Sequence, residues 1–230
     1  MKMFLDIKSR ILYEDSEILV CKKPAGVAVQ TAKMGQQDMV SLLKNYRMGK
    51  QEEPYIGPVH RLDQPVEGVM VFAKNKQAAA NLSKQISEKQ ANKYYYAVVC
   101  GKPKEKQAEL VDYLCKDGKK NTSSVVTKET AGAKRAELFY EVVKETEDKS
   151  LLRIELKTGR HHQIRVQLSH MGCPIYGDSK YQGTVKQEKI GYMPLALCAY
   201  KIEFSHPKNR KEMEFQIKPE GEAFLEFRIE

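Results

Sequence analysis

The sequence predicts an α+β fold: one domain on a mostly antiparallel mixed sheet, flanked by a few helices. Three observations lead there. Apolar residues make up 41% of the 230 and are spread along the whole chain, enough to close a core. Segments with strand-like patterning outnumber those with helical spacing. Many neighbouring strands are joined by links too short for a parallel crossover, and no stretch reads as a linker.

The elements follow in order. ILYED and EILVCKKPAG read as two short strands, the second closed by the turn residues Pro24, Ala25 and Gly26. Residues 38–47 (DMVSLLKNYR) read as a helix with Asp38 as its N-cap, and 48–58 as a polar loop. Residues 69–73 are a continuous apolar run of strand length. Residues 75–90 are the clearest helix, with Ala78, Leu82 and Ile86 recurring every four positions. KYYYAVVC (93–100) is a strand that puts Tyr95, Ala97 and Val99 on one face and Tyr94, Tyr96 and Val98 on the other.

Residues 102–118 are lysine-rich and read as turns. Strands are expected at 122–127, 136–144 and 151–157, the last alternating Leu152, Ile154 and Leu156 with charged residues. Residues 160–171 read as a helix with Ile164, Leu168 and Met171 on one stripe and Gly172 as its stop. A loop containing Gly177 and Gly183 leads to closing strands at 195–204 and 214–217.

Composition narrows the function classes. Thirty-nine Lys and Arg against thirty Asp and Glu give +9, which favours a polyanionic partner without naming one. No run approaches the ~18 to 20 apolar residues of a membrane span. The first twenty residues carry acidic side chains where a secretory signal would be apolar, so the expected compartment is cytoplasmic. Five cysteines, Cys21, Cys100, Cys115, Cys173 and Cys198, lack any CxxC spacing and read as reduced thiols.

Two constellations could carry chemistry. His60-Arg61-Leu62-Asp63 places a carboxylate and an arginine just before a buried strand, where the carboxylate can stay ionised and act as nucleophile or base. Taken alone it reads as a solvated loop with an Arg–Asp pair. Gly159-Arg160-His161-His162-Gln163-Ile164-Arg165 sets Arg165 at the edge of an apolar helix stripe, where its charge needs a carboxylate or a phosphate. Alone, this too reads as a structural salt bridge. Histidines 60, 161, 162 and 170 with Cys173 show no zinc-type spacing, and adjacent His161 and His162 point apart on a helix, so no metal is expected.

Read together, the pieces resemble the RluA-like branch of RNA pseudouridine synthases. The resemblance rests on KKPAG, HRLD before a G-VMVFAK strand, K-Y-A-V-G, TGRHHQIRVQLSHMGCPIYGDSKY and a LALCA…F-HP tail, from about residue 11 to 219. It implies a pseudouridine-synthase-type catalytic domain with no cofactor, converting uridine to pseudouridine in ribosomal or transfer RNA. It assigns the catalytic aspartate to Asp63, the tyrosine of K-x-Y-x-A-x-V-x-G to Tyr95 and the HQIR arginine to Arg165. It points to His60, Arg61 and Gln163 as substrate-binding, with Arg61 filling the space the flipped base vacates and Arg165 standing near the Asp63 carboxylate. Partners expected on this reading are structured RNA, not DNA or a membrane, and the chain is expected to be a monomer.

The sequence departs from the family pattern in places. Gln64-Pro65-Val66-Glu67 follows Asp63 where many relatives carry RDTS, which bears on substrate choice. His161 stands where Thr is commoner, and Cys198-Ala199 replaces a frequent His-Ala. Only about ten residues precede the family core, so an N-terminal S4 RNA-binding module is expected to be absent. Two rival readings are a catalytically silent RNA-binding protein on the same fold and a metal-dependent hydrolase built on the histidines.

Overall fold

The computed structural model describes residues 6–33, 35–182 and 193–229. In chain order the strands begin with β1 (Ile11–Glu14), β2 (Ile18–Lys23), β3 (Gly57–Pro58), β4 (Glu67–Ala73) and β5 (Asn92–Cys100). They continue with β6 (Gln107–Asp117), β7 (Thr122–Val126), β8 (Lys134–Glu145), β9 (Lys149–Leu156), β10 (Leu197–Ser205) and β11 (Glu212–Gln216). The helices are α1 (Met39–Gly49), α2 (Lys76–Ser87), α3 (Gln163–His170) and a single turn, α4 (Glu222–Leu225). Strand-dominated α+β architecture is what the sequence predicts. The paired strands named below are antiparallel.

The described residues fall into two compact units. One comprises the chain up to Ala91 with Lys201–Ile217, the other Asn92–Tyr200 with the residues from Lys218 onward.

In the first unit β2 pairs with β1 and with β4, and β3 lies along the end of β4. β4 is buried along its whole length, as its continuous apolar run predicts. The core is Ile18, Val20, Val69, Val71, Ile202 and Phe204, with Ala78 and Leu82 of α2 laid on it. Both helices start at side-chain caps. Asp38 accepts from Ser41 N at 2.7 Å, and Asn75 accepts from Ala78 N at 2.8 Å. His206, in the HP tail, is buried and bonds Asp15 through Nε2 at 2.8 Å, tying the turn after β10 to the turn after β1.

In the second unit the strand order is β5-β9-β8-β6-β7. Leu152, Ile154 and Leu156 of β9 are buried while Arg153 is exposed, the expected wet and dry faces. Val166 of α3 packs with Leu114 and Ala136 on the dry side. α3 ends in a Schellman motif: Gly172 N donates to Ser169 O and Cys173 N to Leu168 O, with Gly172 at φ +90°.

Two expectations are corrected. Residues 107–117 are not turns but β6, an eleven-residue strand paired along eight positions with β8 and five with β7. Glu109 and Lys116 are exposed and Asp112 and Asp117 half-buried while Leu114 is buried, so a polar composition hid a strand. The helix expected from residue 160 starts three residues later, because His162 is left-handed at φ +54°. The same kink removes the argument that His161 and His162 point apart: their rings stack at 3.8 Å. Gly183 lies outside the described residues.

Candidate active site

Asp63 lies in the loop between β3 and β4, half-buried, at the first position of a turn closed by Val66 N donating to Asp63 O at 3.0 Å. That loop is stitched to the turn after β2, 38 residues earlier in the chain. Gly26 N donates to Gln64 O at 2.9 Å, and Gln64 Nε2 donates back to Gly26 O at 2.9 Å. The KKPAG and HRLDQ motifs are thereby one structure. Gln64, a departure from the family pattern, is the residue that makes the return bond.

At the centre of this junction sits Lys23, a residue that sequence reasoning missed. Its side chain is fully enclosed, and Nζ donates to Pro24 O at 3.0 Å, Val27 O at 2.7 Å and Gln64 O at 3.0 Å. Burial pulls its pKa from 10.5 down to about 8, against the opposing pull of the Asp63 and Glu67 carboxylates. A fixed cation therefore faces the Asp63 loop from inside the fold. Glu67, the last of the four departing residues, is buried beside it.

His60 and Arg61 occupy different settings. The His60 imidazole accepts from Val71 N at 3.1 Å through Nε2, extending the β3–β4 edge by one side-chain bond. That bond commits the ring nitrogen to the sheet. Arg61 is exposed.

In the second unit Tyr95 is 6% exposed on β5, opposite Ile154 of β9. Ala97 and Val99 follow it on the same face and are buried, as the alternation predicts. Tyr96 faces the other way and stacks on Tyr200 at 4.0 Å.

Arg165 is buried in α3, and its anion is a carboxylate thirteen residues downstream. Nε donates to Asp178 Oδ2 at 2.7 Å and Nη2 to Asp178 Oδ1 at 2.8 Å, a bidentate pair. Asp178 Oδ1 also accepts from Lys180 N and Tyr181 N. The preceding Gly177 makes this turn possible: it sits at φ +78°, and a Cβ there would collide with the Pro194 carbonyl. The Arg165 guanidinium lies over the Tyr181 ring, 5.1 Å from its centroid. Tyr181 in turn bonds His162 Nδ1 at 2.7 Å and accepts from Ser123 N at 2.8 Å. His161 bonds Ser123 and Asn121. This chain of polar contacts anchors the start of α3 to the β6–β7 hairpin. Asp178 and Tyr181 were both within the family-like segment, but nothing in their spacing marked them as partners of Arg165.

Gln163 has its amide saturated inside the protein. Oε1 accepts from Thr158 Oγ1 and Arg160 N, while Nε2 donates to Glu137 O and Gln167 Oε1. It fixes the turn before α3.

Among the described residues no three His, Cys, Asp or Glu side chains gather as a metal site. None of the helices among them is long and apolar enough to cross a membrane. A cavity of about 490 Å³ in the first unit is lined by Glu14, Asp15, Arg47, Lys50, Glu52 and Lys74, among others. Its cations are ion-paired to Glu14 and Glu52, which makes it a structural charge cluster.

Comparison with known proteins agrees with the motifs. The profile described as RNA pseudouridylate synthase matches residues 17–170, a span that includes Asp63, Tyr95 and Arg165. The chain is 33% identical over 210 residues to a ribosomal large subunit pseudouridine synthase C of Buchnera aphidicola, covering 89% of this chain and 65% of that protein. It is 32% identical over 218 residues to a tRNA pseudouridine synthase C of Haemophilus ducreyi, covering 88% of each. The chain thus spans about two thirds of the Buchnera protein's length. Among solved structures, human RNA pseudouridylate synthase domain containing 4 superposes with a TM-score of 0.79 at 25% identity, over 93% of this chain and 90% of that one. With more than half of its residues matched by that profile, the chain belongs to the RNA pseudouridylate synthase family.

Proposed function

We propose that this protein isomerises uridine to pseudouridine in structured RNA, ribosomal or transfer. In that reaction the N1–C1′ bond breaks, the uracil turns, and C5 bonds to C1′. The C5 proton leaves and N1 ends protonated, so atoms balance with no cofactor consumed. The observation that carries the reading is Asp63 on a turn locked to the KKPAG turn, with the Lys23 ammonium enclosed behind it. Attack on C1′ and removal of a sugar proton both use the carboxylate as an anion.

Tyr95 brings a flat face for the uracil and a hydroxyl for proton transfer. Arg165, held rigid by Asp178, supplies a fixed positive charge. Arg61 is the exposed side chain available to fill the space a flipped base leaves, and extruding that base costs a few kcal/mol. The net charge of +9 suits RNA phosphates.

The reading extends to one catalytic domain acting as a monomer in the cytoplasm. The family match running past Ala91 to residue 170 supports the first point, and five cysteines without a disulfide suit the last. Uridine being a ribonucleoside, DNA is not a substrate.

The test is mass spectrometry of RNA from cells lacking the gene, after addition of wild-type protein or Asp63→Asn. New pseudouridine is expected with wild type alone, and mapping it names the target. RNA affinity of the variant should stay within several-fold, because one neutralised carboxylate leaves phosphate contacts intact. Wild-type turnover from Asp63→Asn refutes the assignment of Asp63. Tight RNA binding with no product from either protein identifies a silent RNA-binding protein instead.

A further inference from the structure

Lys93 stands two residues before Tyr95 on β5, so its side chain leaves the strand on the same face. It is half-buried, and burial lowers its pKa below the ordinary lysine value with no carboxylate opposing the shift. Other partly or fully buried lysines have found partners. Lys74 has Glu14 and Glu52, Lys149 has Glu226, Lys201 has Glu203 and Glu214, and Lys23 has three carbonyls. Among the described residues Lys93 has no such partner.

The location of its ammonium is specific. Gly159 opens the GRHHQIR segment, and a Cβ built on it would stand 3.6 Å from Lys93 Nζ with no other heavy atom within 4 Å. A lone cation therefore borders open space over a residue without a side chain, an approach that suits a ligand resting against backbone. Arg160, next in the chain, is exposed, and its Nε is used on Arg135 O. An ammonium that has given up part of its water without gaining a counter-charge is matched best by a full anion, because charge-assisted bonds are the strong ones.

We propose that Lys93 binds a backbone phosphate of the substrate RNA over Gly159. The assignment rests on the RNA-modifying function proposed above and adds a residue for which that reading needed no role. The phosphate, not a uracil oxygen, is the ligand because the missing partner is a charge. Lys93 is thus a substrate-positioning residue.

The test uses a transcript carrying the uridine mapped above. Its affinity for wild type, Lys93→Met and Lys93→Arg is measured across a potassium chloride series, together with single-site turnover kinetics. Removing one phosphate contact should make the slope of log affinity against log salt shallower by about 0.7 to 0.9. Lys93→Arg should keep the wild-type slope. In kinetics, kcat/KM should fall about tenfold or more in Lys93→Met while kcat at saturating RNA falls less. Because the free protein spends nothing on a partner for this ammonium, Lys93→Met should unfold at or above the wild-type temperature; a merely structural lysine would lower it. Lys93→Gln serves as the second neutral variant should Met aggregate.

An unchanged salt slope in the neutral variants, with wild type active, overturns the phosphate assignment alone, even where kcat falls. Absence of product from wild type overturns the RNA-modifying reading and this proposal with it.

Discussion

Replacing Lys23 by Met removes an ammonium while keeping an unbranched apolar stem of similar length. Three carbonyl oxygens, on Pro24, Val27 and Gln64, then lose the ammonium as a donor inside the fold, Gln64 O keeping Gly26 N. Hydrogen bonds to a charged group are each worth about 1.5 to 3 kcal/mol net, so the three together contribute roughly 5 to 9. Against them stands the cost of burying the charge. A pKa pulled from 10.5 to about 8 corresponds to about 3 kcal/mol at 1.36 kcal/mol per unit. The variant should therefore lose roughly 2 to 6 kcal/mol at pH 7.

The sign of the pH dependence separates this account from simple loss of packing. Lys23's folded pKa lies below its unfolded value, so between about pH 8 and 10.5 the unfolded chain binds more protons than the folded one. Wild-type stability gains from this group as pH rises through that window, by up to about 3 kcal/mol, and the gain is absent below it. Lys23→Met has no such group. Urea denaturation of both proteins at pH 7, 9 and 10 cancels every other titration in the difference. The gap should widen with pH. A gap that stays constant or narrows, or a variant as stable as wild type at pH 7, refutes the reasoning. Because Gln64 O is one of the three acceptors, turnover should fall along with stability.

Two further outcomes test the second unit. Asp178→Asn leaves Arg165 as a buried cation without its carboxylate and should cost about 3 to 5 kcal/mol in urea denaturation, with loss of activity; a change under about 1 kcal/mol would show that the pair is dispensable. Gly177→Ala meets both a left-handed backbone and the Pro194 carbonyl, whereas Gly26→Ala meets the left-handed backbone alone, with nothing within 4 Å of the new methyl. Gly26→Ala should cost about 1 to 2 kcal/mol and Gly177→Ala clearly more; equal costs would mean that the collision relaxes freely.

Much of the fold could be read from local signals. α1 and α2 carry their own start signals in Asp38 and Asn75, whose short polar side chains each bind a backbone amide three residues on. Residues 69–73 of β4 are all apolar because both faces of the strand are covered. β6 escaped because its partners, β7 and β8, are what make it a strand; its own side chains are mostly wet. The start of α3 is hidden because histidine gives no hint of a left-handed backbone, which Gly or Asn would give.

The site followed the same division. Arg165's need for an anion was readable from its place on an apolar stripe. That the anion is Asp178 depended on a turn through Gly177, a tertiary fact. Lys23 sits on a strand pattern where a lysine normally signals the wet face, and only the fold shows it enclosed. The four amide contacts of Gln163 are internal, and its place in the motif does not reveal them.

The reciprocal bonds between Gly26 and Gln64 bear on how such an enzyme changes its target. Two of the bonds that hold the residue after Asp63 use only its main-chain carbonyl, one from Gly26 N and one from Lys23 Nζ. Any amino acid at position 64 retains them. The neighbour of Asp63 can thus vary in charge and size, altering what the loop presents, while the Asp63 turn stays where it is. On the function proposed above, tolerance of that kind lets one frame serve many RNA sites: the backbone keeps Asp63 in place, and the side chain beside it is left to selection.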